Sequence, residues 1–281
     1  MIKPDQERPA SGFGYDAAIA LQFFKSAGNL EAAAPGATIF AESEKGNPLL
    51  FKRNKMYLLL DGEVSLSVKN KVIGSVRTGE IFGEMASINQ MPRSASAVAK
   101  TACRVISLDD KQFQSALRKK PEFALMMMGI VIGRLRGTIA RLRASDALSA
   151  EREWKETRVF DKKLLGELTR ELAGESPVEF RAEKVIMSEG QVGVLMYVVL
   201  QGRVAVSIQG KLVEKIGPGG VFGEMALVDR SPRLASAVAE TDCTLLGIHR
   251  NAFLDLMKTK PEFGLSLLSA MGERARFMAA R

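Results

Sequence analysis

Two stretches bring a glycine, a carboxylate and an arginine together at a fixed spacing. One is Phe82-Gly83-Glu84-Met85-Ala86 with Pro92-Arg93-Ser94-Ala95-Ser96-Ala97; the other is Phe222-Gly223-Glu224-Met225-Ala226 with Pro232-Arg233-Leu234-Ala235-Ser236-Ala237. Both the glycine and the arginine recur after 140 residues (223 − 83 and 233 − 93), so the chain is a tandem repeat and the repeat carries its site. A glycine entering a short helical turn lets the backbone approach a ligand closely, and free N–H groups at a helix start attract an anion. An arginine arriving from the far side of the loop adds a permanent charge and a planar fork of donors suited to two phosphate oxygens. Together these specify an anion cradle. A carboxylate one residue after the glycine repels a free phosphate, so it needs another task, and accepting a hydrogen bond from a ligand hydroxyl is the obvious one. An anion plus a hydroxyl suggests a nucleotide with a free ribose oxygen.

Gly-Glu, two apolar or small residues, a loop, then Pro-Arg and small residues resembles the phosphate-binding cassette of cyclic nucleotide-binding domains. Such domains occur in catabolite activator protein, in regulatory subunits of cAMP-dependent protein kinase and in cyclic nucleotide-gated channels. The resemblance runs roughly from Thr38 to Phe123 and from Lys184 to Phe263. It implies that Glu84 and Glu224 hold the ribose 2′-hydroxyl. It further implies that Arg93 and Arg233 bind the cyclic phosphate, helped by backbone N–H groups of Gly83 and Ala95 and of Gly223 and Ala235. Met85 and Met225 complete the cassettes. Ser94 follows the first arginine, where a hydroxyl in related domains favours the guanine amino group, whereas Leu234 at the matching place is larger and apolar. The two sites are therefore expected to differ, with cAMP the favoured ligand, cGMP the alternative and no cofactor besides the ligand.

Positioning such loops needs a rigid frame, and the flanking sequence supplies one. Met56-Tyr57-Leu58-Leu59-Leu60 runs into the turn signal Asp61-Gly62, and Glu63 to Val68 alternates with period two; Met196 to Ile208 repeats the pattern around Gln201-Gly202. Many short strands punctuated by glycine predict a β-roll or jelly roll in each half. The fold expected is mainly β with flanking α-helices, two tandem rolls joined by a helical linker. Tyr15 to Glu31 suggests one or two short helices, and helices are also expected at Gln112 to Arg118 and Ala252 to Lys258. Lys-Pro-Glu-Phe recurs at Lys120 and Lys260, where proline suits the first turn of a new helix. The boundaries predicted are a loose leader over 1–14, a first domain with its C-terminal helix over 15–145, a linker and leading helix over 146–175 containing Trp154, and a second domain over 176–281. An insertion before Tyr57, with Lys52-Arg53-Asn54-Lys55, reads as a solvated hairpin.

The helix after Pro121 carries Met128, Val131, Ile132, Leu135, Ile139 and Leu142 within a stripe about 100° wide. Its spacings of three and four resemble a helix-pairing seam; the family resemblance implies a helix here that dimerises or closes over the nucleotide base, and packing onto the chain's own domains is the alternative. Arg134 and Arg141 lie on one side of it and Arg136 and Arg143 on the other, which disfavours nucleic acid as a partner. The net charge of +8 decides nothing alone.

Hydrophobic residues at 46% and charged residues at 26% describe a globular protein of two domains. No membrane span is expected, since the run from Phe123 to Gly133 is apolar for only 11 residues before Arg134. With no apolar signal region at the N-terminus, the chain reads as cytoplasmic. Cys103 and Cys243, again 140 apart, read as separate reduced thiols on strands. Kinase signatures, zinc-ligand spacing and a nucleophile elbow are missing, which argues against an enzyme, and no helix-turn-helix domain is expected in the residues after Phe263. The expectation is a cyclic-nucleotide sensor that relays a helix rearrangement to a protein partner, with a scaffold that no longer binds nucleotide as the alternative.

Overall fold

The computed structural model describes residues 15–46, 54–89, 91–145, 156–172, 174 and 176–279. The leader, Lys52 and Arg53 of the basic cluster, and Trp154 of the linker lie outside these residues. The chain divides into two units, one of them Asp16–Phe123 and the other containing Ala124–Arg281. The helix after Pro121 is thus counted with the second unit, whereas the boundary drawn at 145 attaches it to the first.

The first unit opens with α1 (Ala17–Ala27), started by Asp16, whose carboxylate accepts from Ala18 N at 2.8 Å and Ile19 N at 3.1 Å. Eight strands follow: β1 (Asn29–Ala33), β2 (Thr38–Phe40), β3 (Lys55–Asp61), β4 (Glu63–Val68), β5 (Lys71–Arg77), β6 (Ile81–Phe82) and, after the short helix α2 (Glu84–Asn89), β7 (Ser96–Ala99) and β8 (Cys103–Asp109). They form two four-stranded antiparallel sheets, β1-β8-β3-β6 and β2-β7-β4-β5. Leu30 and Glu31 lie in β1, paired with Ile106 and Val105 of β8, so the helical expectation ends too late. Between the sheets lies a core of Phe40, Tyr57, Leu59, Val64, Phe82, Ala97 and Val105, and Gly62 turns β3 into β4 at φ +96°. The unit closes with α3 (Asp110–Lys119), capped reciprocally by Asp109 and Gln112.

The second unit begins with α4 (Glu122–Ala144), counted there from Ala124. Its 23 residues reach a mean hydropathy of 1.5 in the most apolar window, long and apolar enough to cross a membrane by length and composition. This corrects the expectation that no stretch reaches that length: Arg134 does not end the helix, and the apolar residues resume behind it. Buried helices of a protein core pass the same measure. The whole stripe from Met128 to Leu142 is buried within the chain, which corresponds to the packing alternative rather than to an open dimer seam.

The repeat then follows: β9 (Glu156–Thr157), α5 (Lys162–Glu171), β10 (Val178–Phe180), β11 (Val185–Met187), β12 (Leu195–Gln201), β13 (Val204–Ile208), β14 (Lys211–Ile216), β15 (Val221–Phe222), α6 (Glu224–Asp229), β16 (Ser236–Ala239), β17 (Cys243–His249), α7 (Arg250–Thr259) and α8 (Pro261–Ala279). The sheets are β10-β17-β12-β15 and β11-β16-β13-β14-β9. The first matches its counterpart strand for strand. The second gains β9, a parallel edge strand that nothing in the linker's helix-favouring composition indicates. Cys103 and Cys243 are buried free thiols.

Candidate functional site

Each cassette starts from a pair of rings. Tyr57 lies opposite Phe82 across β3 and β6, and Tyr197 opposite Phe222 across β12 and β15, with centroids 5.1 Å and 5.2 Å apart. The strand that ends in this phenylalanine runs straight into Gly83 or Gly223, at φ +70° and +82°. A side chain there would be strained by conformation and would also meet the arginine, since a Cβ on Gly83 falls 2.9 Å from Arg93 Nη1 and one on Gly223 falls 2.6 Å from Arg233 Nη1. Glycine is what lets the arginine close onto the turn.

Both arginines are buried, and each donates from Nη1 to the carbonyl of its own cassette glycine: Arg93 to Gly83 O at 2.8 Å and Arg233 to Gly223 O at 2.6 Å. Their surroundings differ beyond that. Arg93 lies over the Phe40 ring at 4.1 Å and near the Tyr57 ring at 5.9 Å, a cation–π seat. Arg233 instead donates Nη2 to Leu195 O at 2.5 Å and passes so close to Gly193 that a Cβ there would fall 2.3 Å from its guanidinium carbon. The side-chain contacts of Arg93 are thus a carbonyl and two ring faces. Burial pulls both guanidinium groups below the usual arginine range, offset in part by Tyr57 and Glu44 for Arg93 and by Tyr197 and Glu224 for Arg233. Burial pushes the Tyr57 phenol up to about 12.

The loop bearing each arginine is zipped to the turn before it. Arg93 N donates to Glu44 O at 2.8 Å and Ser43 N to Arg93 O at 2.9 Å; Arg233 N donates to Gln191 O at 2.8 Å and Gly190 N to Arg233 O at 2.9 Å. Ser96 Oγ accepts from Glu42 N and Ser236 Oγ from Glu189 N, at 2.8 Å and 2.9 Å. These paired hydrogen bonds hold Ser94 and Ala95, and Leu234 and Ala235, beside the arginine. Ser94 is exposed and Leu234 half-buried, while Met85 and Met225 are each half-buried on their cassette helix. Every candidate ligand-binding residue therefore belongs to one of two matching cassettes, each a strand end, a short helix and the loop after it.

Glu84 and Glu224 are fully buried at the first helical position of α2 and α6. Glu224 Oε1 accepts from Arg274 Nη1 at 2.7 Å, and Arg274 also grips Glu214 at 3.0–3.2 Å and donates to Val221 O at 2.6 Å. Burial pushes the Glu224 carboxyl up, against the pull of Arg274. The two carboxylates hold Arg274 well above the usual guanidinium range despite its burial. Sequence reasoning missed Arg274, although Arg134 stands 140 residues before it. It also missed Glu214, whose counterpart is Gly74.

The composition around Asn54 predicts only a solvated hairpin. It is buried, and its amide donates to Ala86 O at 3.1 Å and Met91 O at 3.3 Å while its Oδ1 accepts from Gly46 N at 3.2 Å. It ties the cassette helix of the first unit to the loop that follows. The matching residue in the second unit is Val194, which is exposed. There the corresponding loop is held by α4: Arg136 makes a bidentate pair with Asp229 at 2.5 Å and 3.2 Å and donates to Pro232 O at 3.2 Å, and Arg143 donates to Glu189 at 2.5 Å and Leu234 O at 3.3 Å.

The two repeats are similar in sequence to known proteins. The family model described as cyclic nucleotide-binding domain matches twice, over residues 30–120 and 177–260. The cAMP-dependent protein kinase regulatory subunit of Schizosaccharomyces pombe is 24% identical over 246 residues. That match covers 83% of this chain and 53% of the relative, so the chain spans about half the length of the curated relative it matches. Among solved structures, the regulatory domain of Toxoplasma gondii PKA with cAMP is 21% identical, with 89% of this chain and 87% of that one covered and a TM-score of 0.32. Thermus thermophilus catabolite activator protein is 30% identical over 43% of this chain and 59% of its own, with a TM-score of 0.38. The matched module is a ligand-binding one, not an enzyme. With both copies matched across most of its length, this chain belongs to the cyclic nucleotide-binding domain family.

Proposed function

We propose that each barrel binds one cyclic mononucleotide, cAMP in preference to cGMP, and that the chain acts in the cytoplasm as a regulatory subunit or adaptor for a protein partner. In this reading Arg93 and Arg233 take the cyclic phosphate, assisted by N–H groups of Gly83, Ala95, Gly223 and Ala235. Glu84 and Glu224 accept from the ribose 2′-hydroxyl. Met85, Ser94, Met225 and Leu234 shape the remaining walls, Ser94 with a hydroxyl and Leu234 with an apolar side chain. The observation that carries the reading is the matching of the two cassettes: in both, a buried guanidinium is held at the carbonyl of a left-handed glycine, one residue from a buried glutamate. Burying a cation twice costs desolvation, which the carbonyl and ring contacts offset in part and a bound anion would offset further. The fission-yeast relative's name supports cAMP and a protein partner. Nucleotide changes the output only by binding one arrangement of the chain more tightly than another, and the tie from α8 to Glu224 through Arg274 offers a route.

Calorimetric titration of nucleotide-free protein with cAMP and separately with cGMP tests this. Two sites per chain, tighter for cAMP, are expected, each lost in its own arginine variant. No heat and no thermal shift with either ligand would overturn the reading in favour of an interaction scaffold.

A further inference from the structure

The two cassettes are held by different means, and the difference points to a role for α4. In the first unit the loop between the cassette helix and the arginine is tied locally by Asn54. In the second unit Val194 stands at that place, and the ties come from Arg136 and Arg143 on a helix that precedes the barrel by tens of residues. The carboxylate that anchors Arg136 is also particular to the second copy: where it has Asp229, the first has Asn89, whose side-chain amide finds no hydrogen-bond partner among the described residues.

The two α4 arginines take the carbonyls on either side of Arg233, namely Pro232 O and Leu234 O. In a trans peptide the C=O and the N–H that follows it point in opposite directions. Holding Pro232 O therefore turns Arg233 N–H away from α4, and that N–H donates to Gln191 O at 2.8 Å. Holding Leu234 O in the same way turns Ala235 N–H away from α4. The carboxylates fix the rest, since Asp229 anchors Arg136 at the end of α6 and accepts from Ser231 N at 3.0 Å, and Glu189 anchors Arg143 while accepting from Gln209 N at 2.8 Å.

We propose that Arg136 and Arg143 are positioning residues for the second cassette, so that ligand binding there is coupled to the docking of α4. This rests on the reading of that cassette as a nucleotide site. Docked α4 presets the loop on both sides of Arg233, and by linkage nucleotide in the second site tightens α4 by the same factor. The first cassette, tied by Asn54, is independent of these arginines. The helix that follows the first barrel in sequence thus reports on the occupancy of the second.

The test uses the full chain. Without nucleotide, the double variant Arg136→Ala/Arg143→Ala is compared with wild type by amide hydrogen exchange. Exchange over residues 230–235 is expected to rise about tenfold while residues 91–96 keep the wild-type rate. In an Arg93→Ala background, which silences the first site, cAMP is expected to leave the second site about tenfold faster when the double change is added. Arg136→Lys, which keeps the charge but not the fork, should give an intermediate rate and guards against misfolding of the double variant. In wild type, cAMP should slow exchange over residues 136–144, and Arg233→Ala should abolish that slowing. Unchanged exchange at 230–235 overturns the clamp. Faster exchange with unchanged cAMP dissociation reduces it to a structural brace and overturns the coupling. A wild-type chain that binds neither nucleotide overturns the functional reading and the coupling together, a failure distinct from that of the clamp in a chain that does bind.

Discussion

Arg274 of α8 meets Glu224 of α6 at 2.7 Å, joining the last helix of the chain to the carboxylate at the heart of the second cassette. Glu214 shares the guanidinium, and all three groups lie largely out of solvent. Removing the cation leaves two buried carboxylates without it. Arg274→Ala is expected to destabilise the second unit by about 3–5 kcal/mol, measured by chemical denaturation. A loss below about 1 kcal/mol would mean that the pair behaves like an exposed one.

Removing either cassette arginine should act locally. Arg93→Ala and Arg233→Ala are each expected to cost their own site about 2–5 kcal/mol of nucleotide affinity and to leave the other intact, as read by calorimetry. Glu84→Ala and Glu224→Ala should weaken binding less and narrow the preference for cAMP over its 2′-deoxy analogue. Wild-type binding in all four variants would show that these cassettes do not hold the ligand.

Asn54→Ala removes two donors and one acceptor from the turn beside the first cassette. About 1–3 kcal/mol of stability is expected to go from the first unit, with weaker nucleotide binding at that site alone. Val194→Ala, at the matching place, should leave the second site unchanged in the same titration.

How these partners were or were not visible in the sequence follows from the kind of signal each one leaves. The repeat, the cassettes, the alternating strands and the helices after Lys120 and Lys260 are local or periodic, and a fixed offset of 140 exposes them. Leu30 and Glu31 read as helix because Asn29-Leu30-Glu31-Ala32-Ala33 is rich in helix formers, but pairing with β8 overrides that preference. Asn54, Arg136, Arg143 and Arg274 each meet partners 32 to 96 residues away, a separation that no period records. Arg134 and Arg274 share the offset, yet only the structure shows what the second of them grips.

Acid should weaken the second unit in part through Glu240. Its hydrogen bond from Lys215, with help from Arg203, holds its carboxyl below the ordinary range against the opposing effect of burial. A depressed carboxyl contributes stability above its unfolded pKa and loses it as pH falls through the folded value. Glu240→Gln is therefore expected to flatten the decline of Tm below about pH 4.5, by an amount equivalent to less than about 1 kcal/mol because the pair is partly solvated. An unchanged slope would show that the carboxyl is not depressed.

The two-residue strand β9 bears on how the second barrel behaves when cut free. Glu156 and Thr157 lie parallel to Lys215 and Ile216 and close the rim of β14, and Thr157 Oγ1 donates to Glu214 at 2.7 Å. A shortened chain starting at Lys162 would keep α5 and every other strand of the barrel, but its β14 would offer a bare row of backbone donors and acceptors to any neighbour. Such a piece is prone to self-association at high concentration, whereas one that starts ahead of Glu156 carries its own cover.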